Sequence, residues 1–315
     1  MKSCLPAPSE RLAKVARQLA VRAVDAAIDA APHRPAIGEQ RWSMTLALPA
    51  ARVLLGQDDE AVRADLTRSL QTLADAANQG SGPLPVLTDG LGHTRGVYWP
   101  FVLHLHALAL AATAETNASD AELLQSAAAP LGLIEDGANH PPAGGEVAEV
   151  LWRSLVRAEL SRLTGDAYAC ASALGTIHRI ANEPGRAGAL HALGLDDLLD
   201  AWTYRELTGL HALHAAAQGM GDLPLQARCG QVAAFHFDHT QPDYTTYQPW
   251  ALACFAYDDS TILFAEQQLH DVATHLSVEG PGGALLPALL LAEAVMFMEG
   301  RFAGQGRVRR FAEDL

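Results

Sequence analysis

The chain has 315 residues and a formal net charge of −14, with 22 Lys and Arg against 36 Asp and Glu; that balance argues against a nucleic-acid backbone or an anionic membrane surface as partner. Its 59 Ala and 46 Leu make up a third of the sequence, against 16 Val, 6 Ile and 6% aromatics. This composition suits helices and excludes a sheet protein, because Ala and Leu lose little freedom in a helix while the residues that strands favour are scarce. The 49% hydrophobic content excludes a disordered chain, and no apolar run approaches the roughly 18 residues that a membrane helix needs.

In chain order, Met1 to Pro8 precedes Arg11, Lys14, Arg17 and Arg22, so the apolar core of a signal peptide is missing and a cytoplasmic location is expected. A first helix is predicted near 9–31. Trp42, Trp99, Trp152, Trp202 and Trp250 then recur at intervals of 57, 53, 50 and 48 residues, an internal repeat of about fifty. Trp42, Trp99, Trp152 and Trp250 open apolar, small-residue segments that read as inner helices. Pro100 and Pro249 mark starts, since proline fits the first turn. After each such segment stands an acidic helix-start signal, at Asp58-Asp59, Ser119-Asp120, Gly165-Asp166, Gly221-Asp222 and Asp258-Asp259. The more polar helices that follow, near 59–79, 120–129, 167–181, 223–238 and 260–276, read as an outer layer. A last helix near 283–301 brings the count to about twelve, arranged as six hairpins in a single all-α domain over 1–315.

Connections within a hairpin are short, whereas those from an outer helix to the next inner one are long, near 32–41, 80–98, 130–146, 182–197, 239–248 and 277–284. Side-by-side hairpins place all the long loops at one rim, above the N-termini of the inner helices, and function concentrates on loops carried by a rigid scaffold. Those N-termini suit an anionic ligand. Two segments are richest: Asp89 to Trp99, with His93, Arg95 and Tyr98, and His239 to Trp250, with Gln241, Asp243, Tyr244 and Tyr247. They combine flat aromatic faces for a sugar ring, polar groups for hydroxyls or carboxylates, and His, Tyr or Asp to move protons. The catalytic candidates are His239, Tyr244, Asp243 and His93; the substrate-binding candidates are Asp89, Arg95, Tyr98, Trp99, His140, Gln241, Tyr247 and Trp250. No cofactor is implied, although His236, Asp238 and His239 offer ligands to a transition metal. His211 and His214 share that spacing on a helix face, and His104 and His106 point to different faces. Cys4, Cys170, Cys229 and Cys254 lie far apart in sequence and indicate no disulfide framework.

The repeat resembles the α/α-toroid superfamily, rings of helical hairpins around a central cavity. An open solenoid of helical pairs, serving as a binding scaffold, has the same periodicity. Gly92-His-Thr-Arg95-Gly96-Val-Tyr-Trp99 is similar to the Arg-Gly-x-x-Trp segment of unsaturated glucuronyl hydrolases, toroids that act on uronic-acid oligosaccharides with carboxylates as proton-transfer groups. Toroidal polysaccharide lyases resemble the chain through a His and Tyr pair, with Arg or Gln neutralising the uronate. These likenesses imply an enzyme acting on an acidic oligosaccharide by hydrolysis or elimination. Asp196-Asp197-Leu-Leu-Asp200 resembles the D-D-x-x-D motif of class I terpene synthases, with Asp258-Asp259 through Glu266 as its partner.

Overall fold

The computed structural model describes residues 10–30, 44–78, 98–113, 118–131, 147–183, 188–193, 198–240, 248–278 and 283–301. Twelve α-helices, a short 3-10 turn and no strand occur among them, as the composition requires. Six helices alternate with six others along the chain. The first set is α1 (Glu10–Ala30), α3 (Glu60–Asn78), α5 (Ala118–Ala128), α7 (Ala167–Ala181), α9 (Leu223–His239) and α11 (Ile262–Val278). The second is α2 (Leu48–Leu54), α4 (Tyr98–Ala112), α6 (Val147–Thr164), α8 (Leu199–Met220), α10 (Leu252–Ala256) and α12 (Leu285–Met298).

The two sets bury different amounts of themselves. Helix α1 buries one stripe, Leu12, Ala16, Leu19, Ala20, Ala23, Val24 and Ala27, at the spacing of a one-sided helix. Helices α4 and α12 bury every residue from Tyr98 to Leu110 and from Leu286 to Met298. An all-round buried helix needs neighbours on every side, and the contacts supply them: α2 packs on α4, α4 on α6, α6 on α8, α8 on α10, α10 on α12, and α12 back on α2. The even-numbered helices thus form a closed cycle of contacts, with the odd-numbered ones covering it.

Three of the five acidic starts cap their helices as expected, whereas Asp120 lies within the first turn of α5 and Asp258 accepts from the N–H of Ser260 ahead of α11. Asp59 accepts from the N–H of Val62 before α3, Asp166 from Ala169 before α7, and Asp222 from Leu225 before α9. Each satisfies an amide that the helix itself leaves without a partner.

Of the tryptophans expected to open helices, Trp99 and Trp250 stand at or just before a helix start and Trp152 does not. Trp99 is the second residue of α4, but Trp152 and Trp202 lie inside α6 and α8, and Trp250 precedes the five-residue α10; Trp42 falls outside the described residues. The repeat serves packing. Each indole N–H reaches an oxygen: Trp99 on Ala127 of α5, Trp152 on Thr208 of α8, Trp202 on His191, and Trp250 on the Gln248 side chain.

At the centre of the cycle stand Phe101 of α4, Trp152 of α6, His211 of α8 and Trp250. All six pairs among these rings have centroids 5.2 to 6.1 Å apart. Phe101, Trp152 and Trp250 have no accessible surface. Where a cavity was expected, aromatic side chains fill the middle. Truncating one of them leaves a hole that its neighbours cannot close, so Phe101→Ala is expected to lower the unfolding free energy by about 3–5 kcal/mol. Urea denaturation followed by circular dichroism measures this, and a loss below about 1 kcal/mol would show that Phe101 is not at the heart of the core.

Candidate functional site

Deeper in the same centre the packing turns polar. Glu293, the one charged residue in the apolar run of α12, sits between two histidines: its Oε1 is 2.8 Å from His104 Nε2 and its Oε2 is 2.7 Å from His211 Nε2. The other nitrogen of His104, Nδ1, lies 2.8 Å from Glu159 Oε1 of α6. His211 Nδ1 accepts the backbone N–H of Ala251 at 3.1 Å. That bond assigns the proton on His211 to Nε2, which donates to Glu293. His104, with a carboxylate on each nitrogen, is held as the doubly protonated cation. Burial alone opposes that charge, but Glu159 and Glu293 outweigh it and raise the pKa of His104 to about 10. Burial likewise opposes ionisation of Glu293, and its two histidines reverse this, holding its carboxyl well below the ordinary range. The chain Glu159–His104–Glu293–His211 therefore crosses α6, α4, α12 and α8.

It ends on a strained turn. Ala251 is, among the described residues, the one non-glycine with positive φ, at 57°, a conformation that costs an alanine about 1–2 kcal/mol. Two bonds hold it: the Ala251 N–H on His211, and the Gln268 side-chain amide donating to the Trp250 carbonyl at 2.9 Å. Strain of this kind persists where the surroundings over-determine the backbone, often beside a site.

The same turn carries Gln248. The Tyr204 hydroxyl donates to Gln248 Oε1 at 2.5 Å and stands 3.0 Å from the Tyr98 hydroxyl, which donates to it in turn. Tyr98 is the penultimate residue of the first of the two rich segments and Gln248 lies in the second. Tyr204 of α8, not anticipated from the sequence, joins them. Tyr98 opens α4, Tyr204 lies in the second turn of α8, and Gln248 precedes α10.

A second buried carboxylate, Glu206 of α8, organises the same end of the fold. It accepts from the backbone N–H groups of Leu190 and His191, and from His191 Nδ1 at 2.5 Å and His236 Nε2 at 3.1 Å. His191 Nε2 accepts the Ala148 N–H at the start of α6. Burial would raise the pKa of Glu206, but the two histidines bring it down to about 2. This arrangement corrects the metal expectation. His236 turns inward to Glu206 and is fully buried, whereas Asp238 and His239 on the same helix are exposed. His239 stacks on Phe235, centroids 4.6 Å apart, and its Nδ1 lies 3.0 Å from the Phe235 carbonyl. Among the described residues no group of three or more His, Cys, Asp and Glu could hold a metal ion.

Of the other site candidates, Tyr98, Trp99 and Trp250 are buried at 2%, 6% and 0% exposure, so Trp99 and Trp250 pack rather than offer open faces for a sugar. His93, Asp89, Arg95, His140, Gln241, Asp243, Tyr244 and Tyr247 lie outside the described residues. For the terpene motif, Asp200, Asp259 and Glu266 are exposed and Asp258 is half-buried, while Asp196 and Asp197 fall outside the described residues. His106 and His214 are buried and held neutral. Burial lowers the pKa of His106 to about 4 and that of His214, whose Nε2 has no hydrogen-bond partner among the described residues, to about 3.

Among the described residues no helix is long and apolar enough to cross a membrane. Comparison with protein-family models, with curated proteins and with solved structures finds no match.

The histidines fix the sign of the pH dependence. His104, raised from 6.5 to about 10, contributes stability that is complete below about 6.5 and is lost as pH rises toward 10. His106 and His214, lowered from 6.5 to about 4 and about 3, contribute stability present above 6.5 and lost as pH falls toward those values. Unfolding free energy is therefore expected to peak near neutrality and to fall by about 1 kcal/mol per pH unit just above it. Urea denaturation at several pH values checks this. His104→Gln should flatten the alkaline limb, and stability that rises from neutral to mildly alkaline pH would contradict the assignment.

Proposed function

We propose that the chain is an enzyme acting on an acidic, uronate-type oligosaccharide, by hydrolysis or elimination, at the place where Tyr98 and Gln248, described residues of the segments 89–99 and 239–250, meet through Tyr204. The observation that carries this reading is the hydrogen-bond chain Tyr98–Tyr204–Gln248, which ties the described ends of both segments to one place. The closed order of contacts among six alternate helices supports a likeness to the α/α toroids. In this reading the aromatic cluster is a solid floor and the substrate lies above it, at the rim.

The roles follow from chemistry. His93, Asp243, Tyr244 and His239 are the candidates for proton transfer. Arg95 or Gln241 neutralises the uronate carboxylate, which elimination requires because the proton leaves the carbon beside it. Tyr204 presents a hydroxyl whose direction Gln248 sets. Helix N-termini around the rim add a positive field for a small anionic substrate in an otherwise acidic chain.

Incubation with unsaturated uronate disaccharides and with saturated oligouronates separates the two reactions. Hydrolysis of the first removes the ultraviolet absorbance of the conjugated double bond, and elimination from the second creates it. Activity on one class is expected, and Tyr204→Phe, which keeps the ring packed on Trp250, should lower kcat/KM by about ten- to a hundredfold. Failure of the chain to turn over either class, or an unchanged kcat/KM in Tyr204→Phe, would overturn the reading.

A further inference from the structure

A groove of about 750 Å³ runs along the outer surface between α1 and α11, a volume in the range of pockets that take ligands. Its floor is apolar, formed by buried Leu12, Leu19 and Leu269, with Val15 39% exposed beside them. Arg11 and Arg22 stand on the same wall, both exposed, and eleven residues of helix separate them by about 16 Å along α1. Neither guanidinium has a hydrogen-bond or ion-pair partner among the described residues. Arg17, also in the wall, is already paired with Glu299 at 2.5 Å. The opposite wall brings Glu266 and His270 of α11. Two unpaired cations against one carboxylate leave the groove locally positive in a chain of net charge −14.

We infer that this groove docks an acidic amphipathic helix of a partner protein, with apolar residues on the leucine floor and a carboxylate near each end for Arg11 and Arg22. A shallow channel between two packed helices is the seat that a third helix fills, its side chains entering the groove between theirs. The spacing selects the occupant: a single-headed amphiphile satisfies one arginine and leaves the other, whereas a helix of about three turns reaches both. Charge complementarity acts at short range here, because at physiological salt the screening length of about 8 Å separates the groove from most of the negative surface. The inference is independent of the carbohydrate reading, because the groove is lined by residues of α1 and α11 alone and shares none with Tyr98, Tyr204 and Gln248.

The probe is a fluorescent amphipathic peptide of about 16 residues, with two glutamates eleven positions apart and leucines between them on the same face. Fluorescence anisotropy on the full chain is expected to show saturable binding. The double variant Arg11→Glu, Arg22→Glu, at exposed positions and with an unchanged circular dichroism spectrum, should weaken it about tenfold, and so should replacing the peptide glutamates by lysine. Added salt should weaken it further. No saturable binding, or equal affinity in the double variant, would overturn the inference. So would displacement of the peptide by dodecanoate at lower concentration than by unlabelled peptide, which would make the groove a lipid site. Concentration-dependent dimerisation abolished by the double variant would also overturn it, since the occupant would then be a second copy.

Discussion

A carboxylate without water must find positive partners, and Glu293 is such a carboxylate at the centre of this molecule. It is 1% exposed in the most apolar helix among the described residues. Left alone there its charge would be very costly; between His104 and His211 it is matched on both oxygens. The arrangement is restrictive because each histidine has a further partner, Glu159 on one side and the Ala251 amide on the other. Four inner helices and the turn before α10 must all take their places for one charge to be satisfied. An ion network of this kind contributes little net stability compared with an apolar core of the same volume, and its worth lies in specifying one arrangement. Here that arrangement includes a strained backbone turn, which His211 and Gln268 hold between them.

The aromatic cluster and the charged chain divide the work. Phe101, Trp152 and Trp250 supply buried area and fill the centre. His211 belongs to both, stacking on Trp152 with centroids 5.5 Å apart while donating to Glu293. This overlap explains how the position of Gln248 and Tyr204 depends on Glu293. The inner chain sets the tautomer of His211, the tautomer allows Nδ1 to accept from Ala251, and the turn so held places Gln248 against Tyr204. Tyr98, Tyr204 and Gln248 are thus held on a rigid support, and fixed placement of polar groups requires such a supporting shell. Glu206, drawing in His191 and His236, does for the segment 188–193 what Glu293 does for the turn at 251.

Much of the fold was legible because it is periodic. Helical composition, the fifty-residue repeat and the acidic caps at Asp59, Asp166 and Asp222 are local signals, and each has its expected counterpart in the structure. The tryptophans are legible as a repeat, and Trp99 and Trp250 stand at helix starts, but Trp152 lies inside α6, since spacing alone does not distinguish a residue that opens a helix from one that bridges two. The site was less legible. Histidines at i and i+3, such as His236 and His239, look alike in a sequence, yet one is buried on Glu206 and the other is solvent-facing. Glu293 left a readable mark, a lone charge in an apolar run, whereas its partners on α4, α6 and α8 come together only through tertiary contacts. Tyr204 carried no mark at all; its importance arises from a hydroxyl reached across two helices.

The dependence of the inner structure on one buried charge can be observed directly in the protonation states of its histidines. Nitrogen-15 NMR of the imidazole rings of the folded chain, at mildly alkaline pH, reports each ring nitrogen separately. With assignment by His104→Gln and His211→Gln, the expected result is a His104 ring protonated on both nitrogens and a neutral His211 ring protonated on Nε2 alone. A neutral His104 that titrates at the ordinary histidine value, or a His211 protonated on Nδ1, would show that Glu293 does not hold the inner helices in the way described.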